Sequence, residues 1–393
     1  MRVTNASTYR NFTASVNNVH LALNKSMNKV SSGEAYERAS DAPLSYYEGK
    51  KIDNEYQEVL SKTAIIKDVS NRVYQQELGA RAIHDILSKP SGAKNQIQFA
   101  RTDTTSESAL QTTMEDLLQK TQEIVDSLNT QYEDYFVYGG NDYTTTPFSL
   151  DVDLEKGTTS LTFNHTFPGD SQASTVVFEM KANGDGSYGF KIDENQTVSP
   201  SNLTGEEILR KAMGEEGRMD IGYGSIAHRD TLIDTFTGGL NMLTGITSAS
   251  VNPDATPPTP SQQEIEDGLT KSALGLLAQS VHVINDYIHP QANATPDRGV
   301  MHEQLGNILE EMTTAEQKLS TIYSDLGNKY RLLETTTKKL NATADSLKIQ
   351  YKDKLGADPY EAIMEMYNNN YAYNAALKVG SQLMSSSLFD FMR

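Results

Sequence analysis

Residues 305–347 read LGNILEEMTTAEQKLSTIYSDLGNKYRLLETTTKKLNATADSL. Leu305, Ile308, Met312, Ala315, Leu319, Ile322 and Leu326 alternate spacings of three and four, and Leu333, Leu340 and Leu347 continue at sevens. A stripe sustained at that period belongs to a long helix that buries one seam against other helices, so a coiled-coil-like bundle is expected from near Arg298 to Lys354. Pro359, behind Ala357-Asp358, restarts a last helix. Its stripe is Ile363, Met366, Tyr373, Leu377 and Met384. Asn370 and Gly380 interrupt that stripe where the repeat asks for apolar residues; a buried asparagine would fix register at a cost in stability. Tyr360, Tyr367, Tyr371 and Tyr373 crowd the same helix and suit a mixed polar and apolar interface.

The other end of the chain has the same texture. Phe12, Val16, Val19, Leu23, Met27 and Val30 recur at threes and fours and stop at Ser31-Ser32-Gly33, where glycine suits a helix end. After Ser40, Asp41 can cap a new helix and Pro43 fits its first turn. That helix carries Ile52, Tyr56, Val59, Thr63, Ile66 and Val73 and ends before Pro90; another covers roughly 106–132 with Leu110, Met114, Leu117, Leu118, Ile124 and Leu128. From Tyr135 the pattern changes. Tyr138-Gly139-Gly140-Asn141 is turn chemistry, Ser160–Asn164, Thr175–Met180 and Tyr188–Ile192 are β-type runs, and Asn183-Gly184-Asp185-Gly186 is a hairpin turn. A short helix is expected over Gly205–Met213, a surface loop over the proline-rich residues 251–260, and one helix over 262–288. The fold class is therefore α+β: an elongated coiled-coil-like helical bundle formed by both chain termini, with a β-rich domain inserted in the middle. Isolated amphipathic helices are marginal in water, so terminal helices with only each other to pack on point to assembly.

Net charge −18 argues against nucleic acid, whose phosphates need clustered Lys and Arg. No stretch approaches the ~18 apolar residues of a membrane helix, so no membrane partner is expected. The absence of cysteine removes disulfides and thiolate chemistry. MRVTNASTYRNF lacks the basic run and apolar core of a cleaved secretory signal. Catalytic, cofactor and metal sites are not expected. His302-Glu303-Gln304-Leu305 begins a zinc-protease pattern, but Gly306 stands where the second imidazole must project. Asp151-Val152-Asp153-Leu154-Glu155 lacks the glycine position and closing glutamate of a calcium loop and reads as an acidic strand edge. Gly222-Tyr223-Gly224-Ser225 has no following lysine and reads as a turn, not a phosphate cradle. The apolar end, Leu388, Phe389, Phe391 and Met392, asks for a partner: burying four such side chains stabilises by roughly 6–12 kcal/mol.

Several stretches resemble the bacterial flagellar axial proteins, flagellin and the junction proteins between hook and filament. Val30-Ser31-Ser32-Gly33 with Ala39-Ser40-Asp41-Ala42-Pro43 is similar to the family's stretch between its terminal and first core helices, although Ala42 departs from the frequent Asp. Leu326-Gly327 with Arg331-Leu332-Leu333-Glu334, and Ala375-Ala376-Leu377 with Ser387-Leu388-Phe389-Asp390-Phe391, resemble its C-terminal helices. Residues 129–140, NTQYEDYFVYGG, followed by Thr146-Pro147-Phe148, look like the junction proteins in particular, by aromatic character, not letter by letter; Met1-Arg2-Val3-Thr4 does too. The resemblance implies a subunit exported without a cleaved signal peptide and shielded by an export chaperone. It would be extracellular, in the flagellum, assembling with copies of itself in a ring or helix beside a hook-side junction protein and flagellin. It also implies domain limits: 1–42 and 355–393 as halves of an inner helical domain, 43–140 and 261–354 as halves of a helical core domain, and 141–260 as a variable outer domain. The expected assembly interface is Phe12, Val16, Val19, Leu23, Met27, Val30, Ile363, Met366, Tyr373, Leu377, Met384, Leu388, Phe389, Phe391 and Met392.

Overall fold

The computed structural model describes residues 5–154, 157–183, 186–215, 217–221, 232–290 and 297–391. Its elements run α1 (Asn5–Ser32), α2 (Pro43–Ser88), α3 (Ala93–Ala100), α4 (Glu107–Leu128), β1 (Gln131–Tyr132), β2 (Tyr135–Phe136), β3 (Phe148–Asp153), β4 (Thr158–His165), β5 (Ser174–Ala182) and β6 (Tyr188–Ile192). They continue as α5 (Gly205–Met213), β7 (Arg218–Asp220), β8 (Leu232–Asp234), α6 (Gly239–Thr244), α7 (Gln262–Thr270), α8 (Ala273–Ile288), α9 (Arg298–Leu355) and α10 (Pro359–Phe391). The chain divides into two compact units, residues 1–65 with 337–393, and residues 66–336.

In the first unit α1 and α10 pair antiparallel. Phe12 meets Gly380, the His20 and Tyr373 rings lie 5.4 Å apart, and Lys29 Nζ reaches Glu365 at 2.9 Å. The segments that enter and leave this pair are zipped together. Glu34 bridges Gly356, Ala35 N donates to Leu355 O at 2.6 Å, and Ala357 N to Gly33 O at 2.8 Å. Gly33 sits at φ +70°, which an L side chain rarely adopts, and so ends α1 as its sequence implied. Leu355 lies directly on Gly49, and Lys354 pairs with Glu48 at 2.7 Å, so the end of α9 packs on the first turns of α2 within this unit.

The second unit is a mixed helical and β body. The sheet order is β3-β4-β5-β6, all antiparallel, with β3 at one edge carrying Asp151 and Asp153. Along β4, residues alternate buried and half-buried, so Leu161 and Phe163 point inward opposite Phe178 and Val176. Helix α8 is buried on every side from Ala273 to Asn285, as a helix apolar all round must be, and it packs against α4. The sequence expectation of one helix over 262–288 is corrected here. Two helices stand there, because Ser272 Oγ accepts from Gly275 N at 3.1 Å and caps a fresh start, with Gly275 pressed on the Leu269 carbonyl. Helix α5 spans Gly205–Met213 as read, with a reciprocal cap between Thr204 and Glu207. The proline-rich residues form a loop with one bridge, Asn252 to Thr259. The expected turns at 184–185 and 222–225 lie outside the described residues.

Candidate assembly surface

The α1–α10 seam follows from spacing alone. On α1, Phe12, Val16, Val19, Leu23, Ser26 and Val30 step by four and three, and all are buried or half-buried. On α10 the matching row is Ala362, Met366, Asn369, Tyr373, Ala376 and Gly380. The structure thus places Phe12, Val16, Val19, Leu23, Val30, Met366 and Tyr373 on the seam. Met27, Ile363 and Leu377 lie beside it, exposed by 50, 41 and 46 %. One residue is 100° on a helix, so a strict 4-3 step from Leu23 lands on Ser26, whose hydroxyl satisfies itself on Leu23 O at 2.8 Å.

The same one-residue shift changes the roles of the two interruptions. Asn369, not Asn370, enters the seam, and its amide donates to Ala22 O at 3.3 Å. Gly380 is a socket: a Cβ there would come 2.5 Å from the Phe12 Cζ, so the ring fills the space the glycine leaves. Met384, Leu388, Phe389, Phe391 and Met392 lie outside the described side chains.

Pairing these helices does not use up their apolar residues. Tyr9 and Leu21 on α1, and Tyr360, Met364, Tyr367, Tyr371 and Val379 on α10, stay exposed. Leu44, Tyr47 and Ile65 on α2, and Ile349 on α9, do the same elsewhere in this unit. Such a concentration on one small helical unit is the mark of an interaction surface.

The aromatic stretch 129–148 is built as a brace within the second unit. Asn129 clasps Phe148 at both ends, donating to its carbonyl at 2.7 Å and accepting from its N–H at 3.0 Å. Strands β1 and β2 form a hairpin whose turn holds Glu133 at φ 54°. Tyr138 is fully buried and packs on Gly79, where a Cβ would meet its hydroxyl oxygen at 2.6 Å; burial raises its pKa. Gln76 beside it is saturated: Nε2 donates to Val137 O and Thr237 O, each at 2.9 Å, and Oε1 accepts from Thr237 N at 3.1 Å. Arg72 donates to Gly140 O at 2.7 Å and lies over the rings of Tyr135, Tyr143 and Phe236, 4.7–5.5 Å from their centroids. Burial pushes the Asp142 carboxyl up, but donation from Thr144, Thr145 and Thr166 outweighs it and holds its pKa below the ordinary range. The motif therefore ties α2 to the region that follows α4, and of the described side-chain N and O atoms buried there only Arg72 Nε has no hydrogen-bond partner.

Among the described residues no group of three or more His, Cys, Asp or Glu could hold a metal ion. Gly306 packs on the Arg101 guanidinium, and His302 Nδ1 lies 3.4 Å from Asp103. A cleft of ≈ 260 Å³ beside α9 contains Glu215, Asp234, Asp325 and Lys329. Lys329 takes both aspartates, at 3.7 and 3.0 Å, and Glu215 takes His165 at 2.9 Å and Asn141 N at 2.8 Å. Among the described residues no helix is long and apolar enough to cross a membrane.

No curated protein sequence matches the chain. Among solved structures it is similar to a putative flagellar hook-associated protein from Vibrio parahaemolyticus, with 11% identity, TM-score 0.46, and coverage of 80% of this chain and 100% of that one. FlgL of Bacillus cereus gives 12%, 0.37, 78% and 100%. Flagellar hook-associated protein-3 of Legionella pneumophila gives 12%, 0.34, 79% and 98%. Over residues 309–392, which take in most of α9 and all of α10, the chain matches the model of the bacterial flagellin C-terminal helical region, the family its two ends resemble.

Proposed function

We propose that this chain is a structural subunit of the bacterial flagellum, a hook-filament junction protein of the hook-associated protein 3 type. It would join the hook-side junction to the flagellin filament by helical self-assembly. One observation carries the reading: the stretch that matches the flagellin C-terminal region pairs with the N-terminal helix and still exposes row upon row of large apolar side chains. A helix pair of this size gains too little from its own seam to stand alone, and copies of the same unit supply the missing burial. The aromatic brace at 129–148, which resembles the junction proteins, supports junction over filament. On this reading residues 1–42 with 355–393 form the inner layer, 43–140 with 261–354 the next, and 141–260 faces outward. The subunit leaves the cell without a cleaved signal, escorted by an export chaperone, and works outside it.

The matched family is that of flagellin itself, which favours a second reading, the main filament subunit. Labelling the 141–260 region on intact flagella separates them. A single band at the base of the filament is expected. Label along the whole filament gives the second reading, and unlabelled flagella overturn both. Removing residues 381–393 should abolish incorporation while the second unit stays folded.

A further inference from the structure

We infer that the face of α10 turned away from α1 seats a second copy of this chain, and that what it takes from that copy is the outward face of α1. The inference rests on the self-assembly reading and adds which surfaces meet. Opposite the seam, Tyr360, Met364, Tyr367 and Tyr371 step by four, three and four and are exposed by 76, 45, 64 and 78 %. That is a second coiled-coil stripe on a helix whose first stripe is filled, and a stripe of this period fits another helix. Tyrosine suits it, with a rigid apolar body and a hydroxyl that stays hydrogen-bonded.

The occupant follows from complementarity of size and charge. The outward face of α1 carries Arg10, Ala14, Asn17, Leu21, Asn24 and Asn28, all exposed and stepping by four and three. These residues are mostly small or amide-bearing, with room and partners for tyrosine rings and hydroxyls. The intrachain seam already uses that device, with the Phe12 ring on Gly380. Helix α1 contains Arg10, Lys25 and Lys29 and no acidic residue, whereas residues 359–371 contain Glu361 and Glu365 and no basic one. Lys25 and Lys29 are held by Asp41 and Glu365 within the chain, which leaves Arg10 on one face and Glu361 beside the other with no ion-pair partner among the described residues. Because the two faces differ, the contact is head-to-tail and repeats from copy to copy, instead of closing as a two-fold dimer.

The chain has no cysteine, so paired cysteines read the contact directly. Full-length variants carrying Ala14→Cys, Asn17→Cys or Leu21→Cys are mixed with variants carrying Tyr360→Cys, Tyr367→Cys or Tyr371→Cys, assembled by raising concentration, pelleted and oxidised. At least one mixed pair should cross-link tenfold more than either variant alone. Tyr367→Asp, at an exposed site, should keep its helix content and lower the pelleted fraction at least tenfold. Tyrosine-side variants that cross-link among themselves as well as the mixtures do overturn the proposal in favour of a two-fold contact. Pelleting without any mixed cross-link overturns the seam and leaves assembly standing, and a wild-type chain that never self-associates overturns both. Pelleting of Tyr367→Asp at wild-type level also overturns the seam.

Discussion

The two units of this chain share long helices yet treat apolar surface in opposite ways. In residues 66–336, α8 is buried all round, and Phe148, Phe178 and Phe190 are enclosed by sheet and helix. In residues 1–65 with 337–393, α1 contributes one buried apolar residue among its described side chains, Leu23, while Leu21, Tyr360, Tyr367 and Tyr371 face outward. The first kind of packing is complete within the chain and supplies its own stability. The second kind is half of a structure, because a helix with two apolar stripes needs two partners and one chain provides one. On the proposed reading, stability and assembly are carried by different units, so perturbing one should leave the other's readout nearly unmoved.

The largest effect should come from the finished unit. Phe178→Ala removes a fully buried ring from β5 and should cost about 3–5 kcal/mol, seen as a lower denaturant midpoint for the major unfolding transition. Tyr371→Ala should shift the same midpoint by less than about 0.5 kcal/mol, since its ring is in solvent. Equal shifts for the two would erase the contrast.

An intermediate effect is expected at the α1–α10 socket. Gly380→Ala places a methyl 2.5 Å from the Phe12 ring and should cost about 1–3 kcal/mol of that pairing. Hydrogen exchange should speed up in α1 and α10 and stay unchanged in α8. A matching loss of about 1–3 kcal/mol is expected for Asn129→Ala, which strands the Phe148 N–H and carbonyl, but it should appear in the second unit.

The smallest effect is a pH dependence from His282. Burial lowers its pKa, against a smaller opposing pull from Asp286. Its Nε2 lies 2.8 Å from Thr159 Oγ1 and its Nδ1 has no partner, so a second proton would find no acceptor. The unfolded chain takes that proton near pH ~6.5, the folded chain only at lower pH. The stability this histidine provides is therefore complete above the unfolded value and is lost as pH falls below it. The midpoint of wild type relative to His282→Gln should fall between pH 7 and 5; a constant difference would show that His282 does not titrate there.

Much of this was legible in one dimension. The leucine period of 305–347 announces α9, and Gly33 and Pro43 bracket the break between α1 and α2. These signals are local: a cap, a φ value or a helical period acts within four residues of itself. The resemblance of the C-terminal helices to flagellin's rested instead on short motifs, Leu326-Gly327 with Arg331-Leu332-Leu333-Glu334 and Ala375-Ala376-Leu377, and the family match over 309–392 covers them. The seam was legible as a band but not as a register. Choosing Ser26 over Met27, or Asn369 over Asn370, depends on which face the opposite helix presents, and a hydrophobic pattern draws the eye to the more apolar neighbour.

Sequence by itself determined that both ends are helices with seams of one period, that a strand-rich segment lies between them, and that no thiol chemistry exists. Only the tertiary structure decided that Gly380 is a socket for Phe12, that Ser272 splits one expected helix into two, and that four tyrosines on α10 divide into Tyr373 inside and the other three outside. Periodicity fixes how often a face recurs along a helix; the partner helix, through its own shape and register, fixes which face that is.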